Sequence, residues 1–313
     1  MEKKTIRFVP LGLLGTLGVA LSCLAFALAK SEADAPPSDF LRFVKEGKGE
    51  GRLETAVVMY EKGEVRVSLL GAVHVGDRAY YDQLQKLFEG YDALLYEMIK
   101  EKDEEVRPVE GRPESLVSMF QRGLKGFLEL DFQLDAIDYT QENFVHADMD
   151  PETFLRLQKN KGESMASLMF RAMLEEWKGQ LNGQGSKLNG WTLLAAFASP
   201  DSARSLKYLL AKEFDSVERI LAGMDGGDDG SGSVLLSGRN EVAMEVLRRE
   251  LKNGKKNLGI FYGAGHMQDL ERRVRKLGFK KVTAKWVTAW DIKKKRAPVE
   301  PEADGTQREP NEN

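Results

Sequence analysis

The sequence has little cysteine and little histidine, and both shortages restrict the chemistry open to it. The only cysteine among the 313 residues is Cys23, which lies inside an apolar N-terminal segment. If that segment is removed, the mature chain has no disulfide, no cysteine nucleophile and no thiolate zinc site. A site that needs imidazole must use His74, His146 or His266, because there is no other histidine.

Several common catalytic and binding patterns are also absent. The sequence contains no Gly-x-Ser-x-Gly, no Walker loop and no His-Glu-x-x-His. The segment Gly263-Ala264-Gly265 lacks the third glycine of a dinucleotide fingerprint. The net charge is −3, so no overall basic field attracts nucleic acid. We therefore predict neither a nucleotide-binding nor a nucleic-acid-binding protein.

Residues 1–29 have the features of a secretory signal peptide. Basic residues precede an uncharged apolar run, and the run ends in Ala27-Leu28-Ala29. Residues 8–29 are also long enough to span a bilayer, so an N-terminal membrane anchor is the alternative. A lipoprotein modified at Cys23 is a third interpretation, although the large Leu21 matches that pattern poorly. All three predict an exported protein whose folded part is periplasmic or extracellular.

The rest of the chain divides by composition into a linker, a folded domain and a tail. We predict a linker over residues 30–50, one domain over residues 51–296 and a disordered, Pro-, Glu- and Asn-rich tail over residues 297–313. The domain contains a mostly helical insertion at about residues 110–253. Its candidate helices are Pro113–Phe127, Pro151–Leu181, Trp191–Ala198, Ser202–Met224 and Asn240–Lys252.

The order strand, Gly-Ala-x-His, helix, glycine, strand occurs twice in the sequence. In the first copy a predicted hairpin strand runs into Gly71-Ala72-Val73-His74, and the strand after the helix ends at Glu97. In the second copy the strand Asn257–Tyr262 runs into Gly263-Ala264-Gly265-His266. We interpret this as an internal duplication. It predicts an α/β or α+β fold, with a mixed sheet built from two related units and the helical insertion over its carboxyl edge.

The two turns are the best candidates for chemistry. A histidine directly after a strand lies at the carboxyl edge of the sheet, where open α/β sheets bind ligands. We expect two such turns to bring His74 and His266 into one cleft, with Glu97 at the end of a strand at the same edge. Two imidazoles and a carboxylate suit a divalent metal such as Mn, Co or Zn. Glycines allow a cofactor to approach the backbone closely. We expect Gly71, Gly263 and Gly265 to lie beside the cofactor.

Together with Leu95-Tyr96-Glu97 and Gly238-Arg239-Asn240, the two turns resemble the TraB/GumN family over roughly residues 54–290. That family includes the TIKI metalloproteases and the pheromone-shutdown proteins. The resemblance implies that His74, Glu97 and His266 are active-site residues with Arg239 nearby. It implies metal-dependent peptide hydrolysis for the TIKI members and only a suspected activity for many bacterial members.

Two further residues are candidates for catalysis. His146 is either a third imidazole ligand or a general base oriented by Asp148, or it is a loop residue that caps the helix beginning near Pro151. Arg239 either binds a substrate carboxylate or stabilises an oxyanion, or it is a surface residue at a helix start that Asn240 caps.

The sequence therefore predicts an exported metal-dependent hydrolase that acts on a peptide or protein substrate. His74 and His266 would bind the metal, Glu97 would be a ligand or the general base, and Arg239 would stabilise substrate charge. The alternatives are a non-catalytic haem- or peptide-binding protein and a membrane-anchored signalling regulator.

Overall fold

The computed structural model describes residues 40–101, 128–162, 190–223 and 233–293, except for the side chains of residues 190, 191, 193, 214–223 and 235. The predicted leader, the predicted helix Pro113–Phe127, residues 163–181 of the next predicted helix and the predicted tail lie outside these residues. Within the described ranges, no helix is both long and apolar enough to cross a membrane.

The described chain alternates strands and helices in an order typical of an α/β protein. The strands are β1 (Leu41–Gly47), β2 (Glu50–Lys62), β3 (Val65–Ala72), β4 (Val75–Gly76), β5 (Ala93–Tyr96), β6 (Asp131–Phe132), β7 (Phe144–His146), β8 (Asn257–Gly263) and β9 (Lys280–Ile292). The helices are α1 (Arg78–Phe88), α2 (Gln133–Ala136), α3 (Pro151–Asn160), α4 (Gly190–Phe197), α5 (Ser202–Gly223), α6 (Arg239–Lys252) and α7 (Met267–Lys276). A π-helix, Val234–Gly238, precedes α6, and a 3-10 turn, Ala264–His266, precedes α7.

A mixed seven-stranded sheet forms the centre of the fold. Its strand order is β1-β2-β3-β8-β5-β7, and β9 pairs with β2. The neighbours β3, β8, β5 and β7 run parallel to one another, whereas β2 is antiparallel to β1, β3 and β9. The predicted mixed-sheet α/β class is confirmed. The four parallel strands end at the same edge of the sheet. The residues that follow each strand therefore lie at that edge.

The strands near the start of the described chain are partly as predicted. The hairpin between β2 and β3 is confirmed, with a two-residue turn in which Gly63 has the positive φ of 60° that favours glycine. The linker predicted over residues 30–50 is wrong for residues 41–47, which form β1 against β2. Phe40 and Leu41 are buried, and this burial accounts for the extra strand. The predicted helical insertion likewise contains β7, an edge strand of the sheet.

Helices cover both faces of the sheet. Helix α1 packs with Leu70, Leu94 and Phe261 on one face, whereas α6 and α7 pack with Leu69, Leu95 and Ile260 on the other. The chain crosses from β3 over β8 to β5, but from β8 it crosses the opposite way, over β3 and β2, to β9. Right-handed crossovers that run in opposite directions place their helices on opposite faces. The two predicted units therefore share one sheet and bury their helices on different sides.

The described part of the insertion also packs close to the carboxyl edge. Helix α5 contacts β1, β2 and β9, and it contacts the 3-10 turn that follows β8. Its residues Leu206 and Ala211 are buried in the same cluster as α1. This placement agrees with the prediction of a helical insertion over the carboxyl edge.

Candidate active site at the carboxyl edge

The two predicted turns lie side by side at a point where the chain leaves the sheet in two directions. Strands β3 and β8 are adjacent and parallel, and Ala72 is the register partner of Gly263. After β3 the chain goes to the face of α1, and after β8 it goes to the face of α7. Open α/β sheets bind ligands in the crevice that such a divergence leaves outside the carboxyl ends of the strands.

Gly263 is the point around which the predicted residues meet. A Cβ atom built on Gly263 would lie 3.4 Å from Glu97 Oε2, 3.6 Å from His74 Nε2 and 3.8 Å from His266 Cδ2. The Nε2 atom of His266 is 3.5 Å from Glu97 Oε1. The space that the missing side chain leaves between these groups is called the Gly263 gap below. The structure thus brings together His74, Glu97, His266 and Gly263 from both predicted units.

Glu97 is held firmly at one side of this gap. Its Oε2 accepts a hydrogen bond of 2.6 Å from the Gly263 backbone N–H, and its Oε1 lies 2.8 Å from Arg239 Nη2. The side chain is only 9% exposed. Burial acts to raise the pKa of Glu97, but His266, Arg239 and His74 outweigh it and hold the pKa well below its ordinary value. The Arg239 guanidinium and the Gly263 N–H thus hold Glu97 as a carboxylate whether or not His266 is charged.

Arg239 joins Glu97 to a second buried carboxylate, Asp148. Its Nε lies 3.0 Å from Asp148 Oδ1, and its Nη2 bonds both Asp148 Oδ2 and Glu97 Oε1. Burial acts to lower the pKa of Arg239, but the two carboxylates raise it above its ordinary value. The interpretation of Arg239 as a surface residue is wrong, because it is 7% exposed and ion-paired. No local sequence signal pointed to Asp148 as its partner, since 91 positions separate the two residues.

His266 lies inside a chain of buried hydrogen bonds. Its Nδ1 is 2.7 Å from Asn240 Oδ1, and Asn240 Nδ2 donates a bond of 2.8 Å to Asp269 Oδ2. Asp269 is also ion-paired with Arg272 and Arg273. Asn240 therefore holds His266 in place and does not cap α6, whose N-cap residue is Gly238.

His74 has a more open environment. The residue is exposed, and its Nδ1 lies 3.2 Å from Gln133 Oε1. The backbone N–H of Gln133 donates to the His74 carbonyl at 2.9 Å, and Gln133 Nε2 donates to the Tyr139 hydroxyl at 2.8 Å. Gln133 follows the short strand β6, which pairs with β4 just after His74. No local sequence pattern indicated Gln133, which is 59 positions from His74.

His146 is the last residue of β7 and points elsewhere. Its Nε2 is 2.6 Å from the Met98 carbonyl oxygen, so this nitrogen donates the hydrogen bond. The cap of α3 is Asp150, which accepts from the Thr153 N–H at 2.8 Å, so the capping interpretation of His146 is wrong. Asp148, the residue predicted to orient His146, bonds Arg239 instead. A catalytic part for His146 stays a prediction.

The two matching glycines do not occupy matching positions. Gly71 pairs with Tyr262, whereas Gly263 pairs with Ala72, so the two copies of the motif are offset by one residue. Because successive side chains of a strand alternate between faces, this offset turns Gly71 and Gly263 to opposite faces. A Cβ on Gly71 would meet Phe40 O, Ala56 O and Met267 Cγ. Gly71 therefore packs within the sheet and lies away from the gap.

Gly265, the third glycine expected beside a cofactor, lies in the 3-10 turn between Ala264 and His266. It is half-buried, and the turn brings His266 back toward Glu97. Among the described residues, no group of three or more His, Cys, Asp or Glu side chains is arranged closely enough to count as a metal site. The metal predicted for this edge stays a prediction.

Comparisons with known proteins found no match. No protein-family model matches the chain, and neither a curated protein nor a solved structure is significantly similar to it. The resemblance to the TraB/GumN family thus rests on the motifs of the sequence alone.

Proposed function

We propose that this protein is a hydrolase that cleaves peptide or protein substrates at the Gly263 gap. The observation that carries the proposal is that two imidazoles and a buried carboxylate lie within 4 Å of the position that a Cβ on Gly263 would occupy, at the divergence of β3 and β8. Hydrolysis needs a group that takes a proton from water and a group that returns one to the leaving amine. Histidine is the side chain that does both near neutral pH.

The two histidines divide these tasks according to their surroundings. His266 is buried and has its Nε2 beside Glu97 Oε1, so it takes the proton of the attacking water and Glu97 stabilises the resulting imidazolium. The water oxygen bonds to the carbonyl carbon, and the carbon–nitrogen bond then breaks. His74 is exposed to solvent, and it supplies the proton that the departing amine takes.

Arg239 has a different part from the one that the sequence suggested. Its Nε and Nη2 bond Asp148 and Glu97 and are not directed at a substrate. We assign it to keeping Glu97 ionised and in place. This is a positioning role, and Asp148 shares it by holding the other side of the guanidinium.

A divalent metal would fit this set of groups by type. The donors are two imidazoles and a carboxylate around a cradle that a Cβ on Gly263 would fill. Each imidazole has its Nδ1 bonded to a carboxamide oxygen, an arrangement common behind metal-binding histidines. His74, His266 and Glu97 would hold the ion, with Mn, Co and Zn as the candidates. When bound, it would polarise the substrate carbonyl and lower the pKa of water.

We further propose that the protein acts outside the cytoplasm, as residues 1–29 suggest. The same segment left uncleaved would tether it to a membrane. Intact-mass measurement on the protein recovered from its producing cell distinguishes these cases. Loss of the mass of the leader supports export, and retention supports the anchor.

The central experiment combines metal content with peptide cleavage. The full chain is purified, its bound metals are quantified, and cleavage of a peptide library is followed by mass spectrometry. The same measurements are made on His74→Ala, His266→Ala and, as a control on the exposed side of α1, Lys86→Ala. We expect both histidine variants to lose about 10²- to 10⁴-fold in cleavage rate, the usual contribution of a general acid or base.

Three results would decide between the versions of the proposal. A stoichiometric divalent metal that both histidine variants lose supports the metal-dependent form. Cleavage that survives a chelator and still needs both histidines supports hydrolysis by the side chains alone. Full activity in the double histidine variant, or a haem absorption band in the purified protein, overturns the proposal.

A further inference from the structure

The orientation of one carboxamide in the site is fixed by its neighbours. The side chain of Asn240 has an acceptor oxygen on one side and a donor NH2 group on the other. Asp269 is a carboxylate paired with Arg272 and Arg273, so it only accepts hydrogen bonds. Asn240 must therefore turn its Nδ2 to Asp269, where the distance is 2.8 Å.

This orientation determines which nitrogen of His266 carries hydrogen. With its Nδ2 committed to Asp269, Asn240 presents its oxygen to His266 Nδ1 at 2.7 Å. Two acceptors cannot share that bond, so Nδ1 carries the hydrogen and the neutral ring keeps its lone pair on Nε2. Nε2 faces Glu97 Oε1 at 3.5 Å.

We infer that Asn240 is a positioning residue that locks His266 in the Nδ1–H tautomer and so aims the Nε2 lone pair at the Gly263 gap. Without this lock the nearby carboxylate of Glu97 would favour hydrogen on Nε2, because an N–H can donate to it. With the lock, Nε2 and Glu97 Oε1 are two acceptors facing one space. That space attracts a metal ion or the proton of a water, as the proposed reaction requires.

His74 is not locked in the same way. Its partner Gln133 bonds the Tyr139 hydroxyl, which both donates and accepts, so either orientation of the Gln133 amide satisfies both neighbours. His146 has the opposite form from His266, because its Nε2 faces the Met98 carbonyl and must carry the hydrogen. His266 is thus the ring whose tautomer is fixed, and His74 is the ring whose tautomer is not. His146 serves as the reference, because its tautomer does not depend on Asn240.

The inference is tested by nitrogen NMR of the histidine rings. The full chain is labelled with ¹⁵N-histidine, freed of metal with a chelator and measured at about pH 9, well above the ordinary imidazole pKa of about 6.5. Single His→Gln variants assign the three rings. We expect a hydrogen-bearing Nδ1 and a bare Nε2 for His266, and the reverse for His146. A hydrogen-bearing Nε2 on His266 overturns the inference without the need for any further variant.

Two substitutions show whether Asn240 is the cause. In Asn240→Ala the ring loses its acceptor. In Asp269→Asn the Nδ2 of Asn240 keeps only its longer contact of 3.4 Å with the His266 carbonyl oxygen, so the orientation of the carboxamide is held less firmly and a smaller change is expected. In each we expect the His266 Nδ1 signal to move toward the position of a bare nitrogen while His146 stays in place. An unchanged His266 signal in a folded Asn240→Ala variant overturns the role of Asn240.

The catalytic consequence of this tautomer rests on the proposed function, whereas the tautomer does not. A protein with the expected His266 tautomer and no hydrolytic activity contradicts the proposed function only. An active protein whose His266 carries hydrogen on Nε2 contradicts the inference only.

Discussion

The two Gly-Ala-x-His turns are alike in sequence and unlike in the structure. His266 is buried within a 3-10 turn and bonded through Asn240 to Asp269, whereas His74 is exposed and bonded to Gln133. Both rings nevertheless reach the same gap beside Gly263. One turn is therefore built into the core, and the other lies at the surface. The same short motif thus lies in two different environments.

The difference follows from register and crossover direction. The copies pair one residue out of step, so the first glycine of each faces a different side of the sheet. Their helices also pack on opposite faces. Two turns of similar sequence therefore have different surroundings. Substitutions at matching positions should change stability and activity by unequal amounts.

The largest effect should come from removing the buried cation on the side of His266. Arg239→Met leaves the carboxylates of Glu97 and Asp148 buried without their counter-charge, and we expect a loss of about 3–5 kcal/mol in the free energy of unfolding. The matched change on the side of His74, Gln133→Met, removes neutral hydrogen bonds and should cost about 1 kcal/mol. Urea unfolding of both variants measures this contrast. Equal losses would mean that the two sides contribute alike to stability.

The next effect separates the two glycines. Gly263 has a φ of −53°, which any residue adopts, and its added methyl group would make ordinary contacts of 3.4–3.8 Å. Gly263→Ala should therefore fold normally, yet it fills the gap, and we expect roughly a 100-fold loss in hydrolysis. Gly71→Ala places its methyl group on the opposite face and should lose far less. Cleavage rates for both variants, with thermal unfolding as the check on folding, measure the difference. A larger loss for Gly71→Ala would contradict the assignment of the gap.

The smallest effect concerns stability at the histidines themselves. His266→Ala removes a buried ring that bonds Asn240, and we expect it to lower the free energy of unfolding by about 1–3 kcal/mol. His74→Ala changes an exposed side chain and should stay within about 0.5 kcal/mol of the parent protein. Thermal unfolding without substrate or metal compares the two. A more costly change at His74 would show that the exposed turn also supports the fold.

Much of the fold could be predicted because its central elements are encoded locally. An apolar run that ends in glycine and is followed by helical spacing is recognisable on its own, and both copies form the strand and helix expected of them. The strands β1 and β7 were missed for a physical reason. They gain stability from pairing with distant partners, and β7 has only three residues on which a pattern could be seen.

The sequence predicted the three residues that meet beside Gly263 and did not predict the residues that support them. His74, Glu97 and His266 lie within three residues of the ends of β3, β5 and β8, so their common edge could be inferred from the order of elements. Asp148 and Gln133 support them from 91 and 59 positions away, and such contacts depend on tertiary packing that no local pattern encodes. The one-residue offset between the copies depends on strand register, which the sequence of the motif does not determine.

The position of Gly263 opposite Glu97 has a consequence for how the protein is made. These partners are 166 positions apart, and the final described strand, β9, pairs with β2 near the beginning of the described chain. Such distant pairings must await late synthesis, and topologies rich in them fold slowly. A chain that stops before Gly263 lacks one of the two histidines and the strand on which the gap is built. If the proposed function is correct, a chain interrupted before the second turn has no hydrolytic activity, and activity appears only after that turn has been translated.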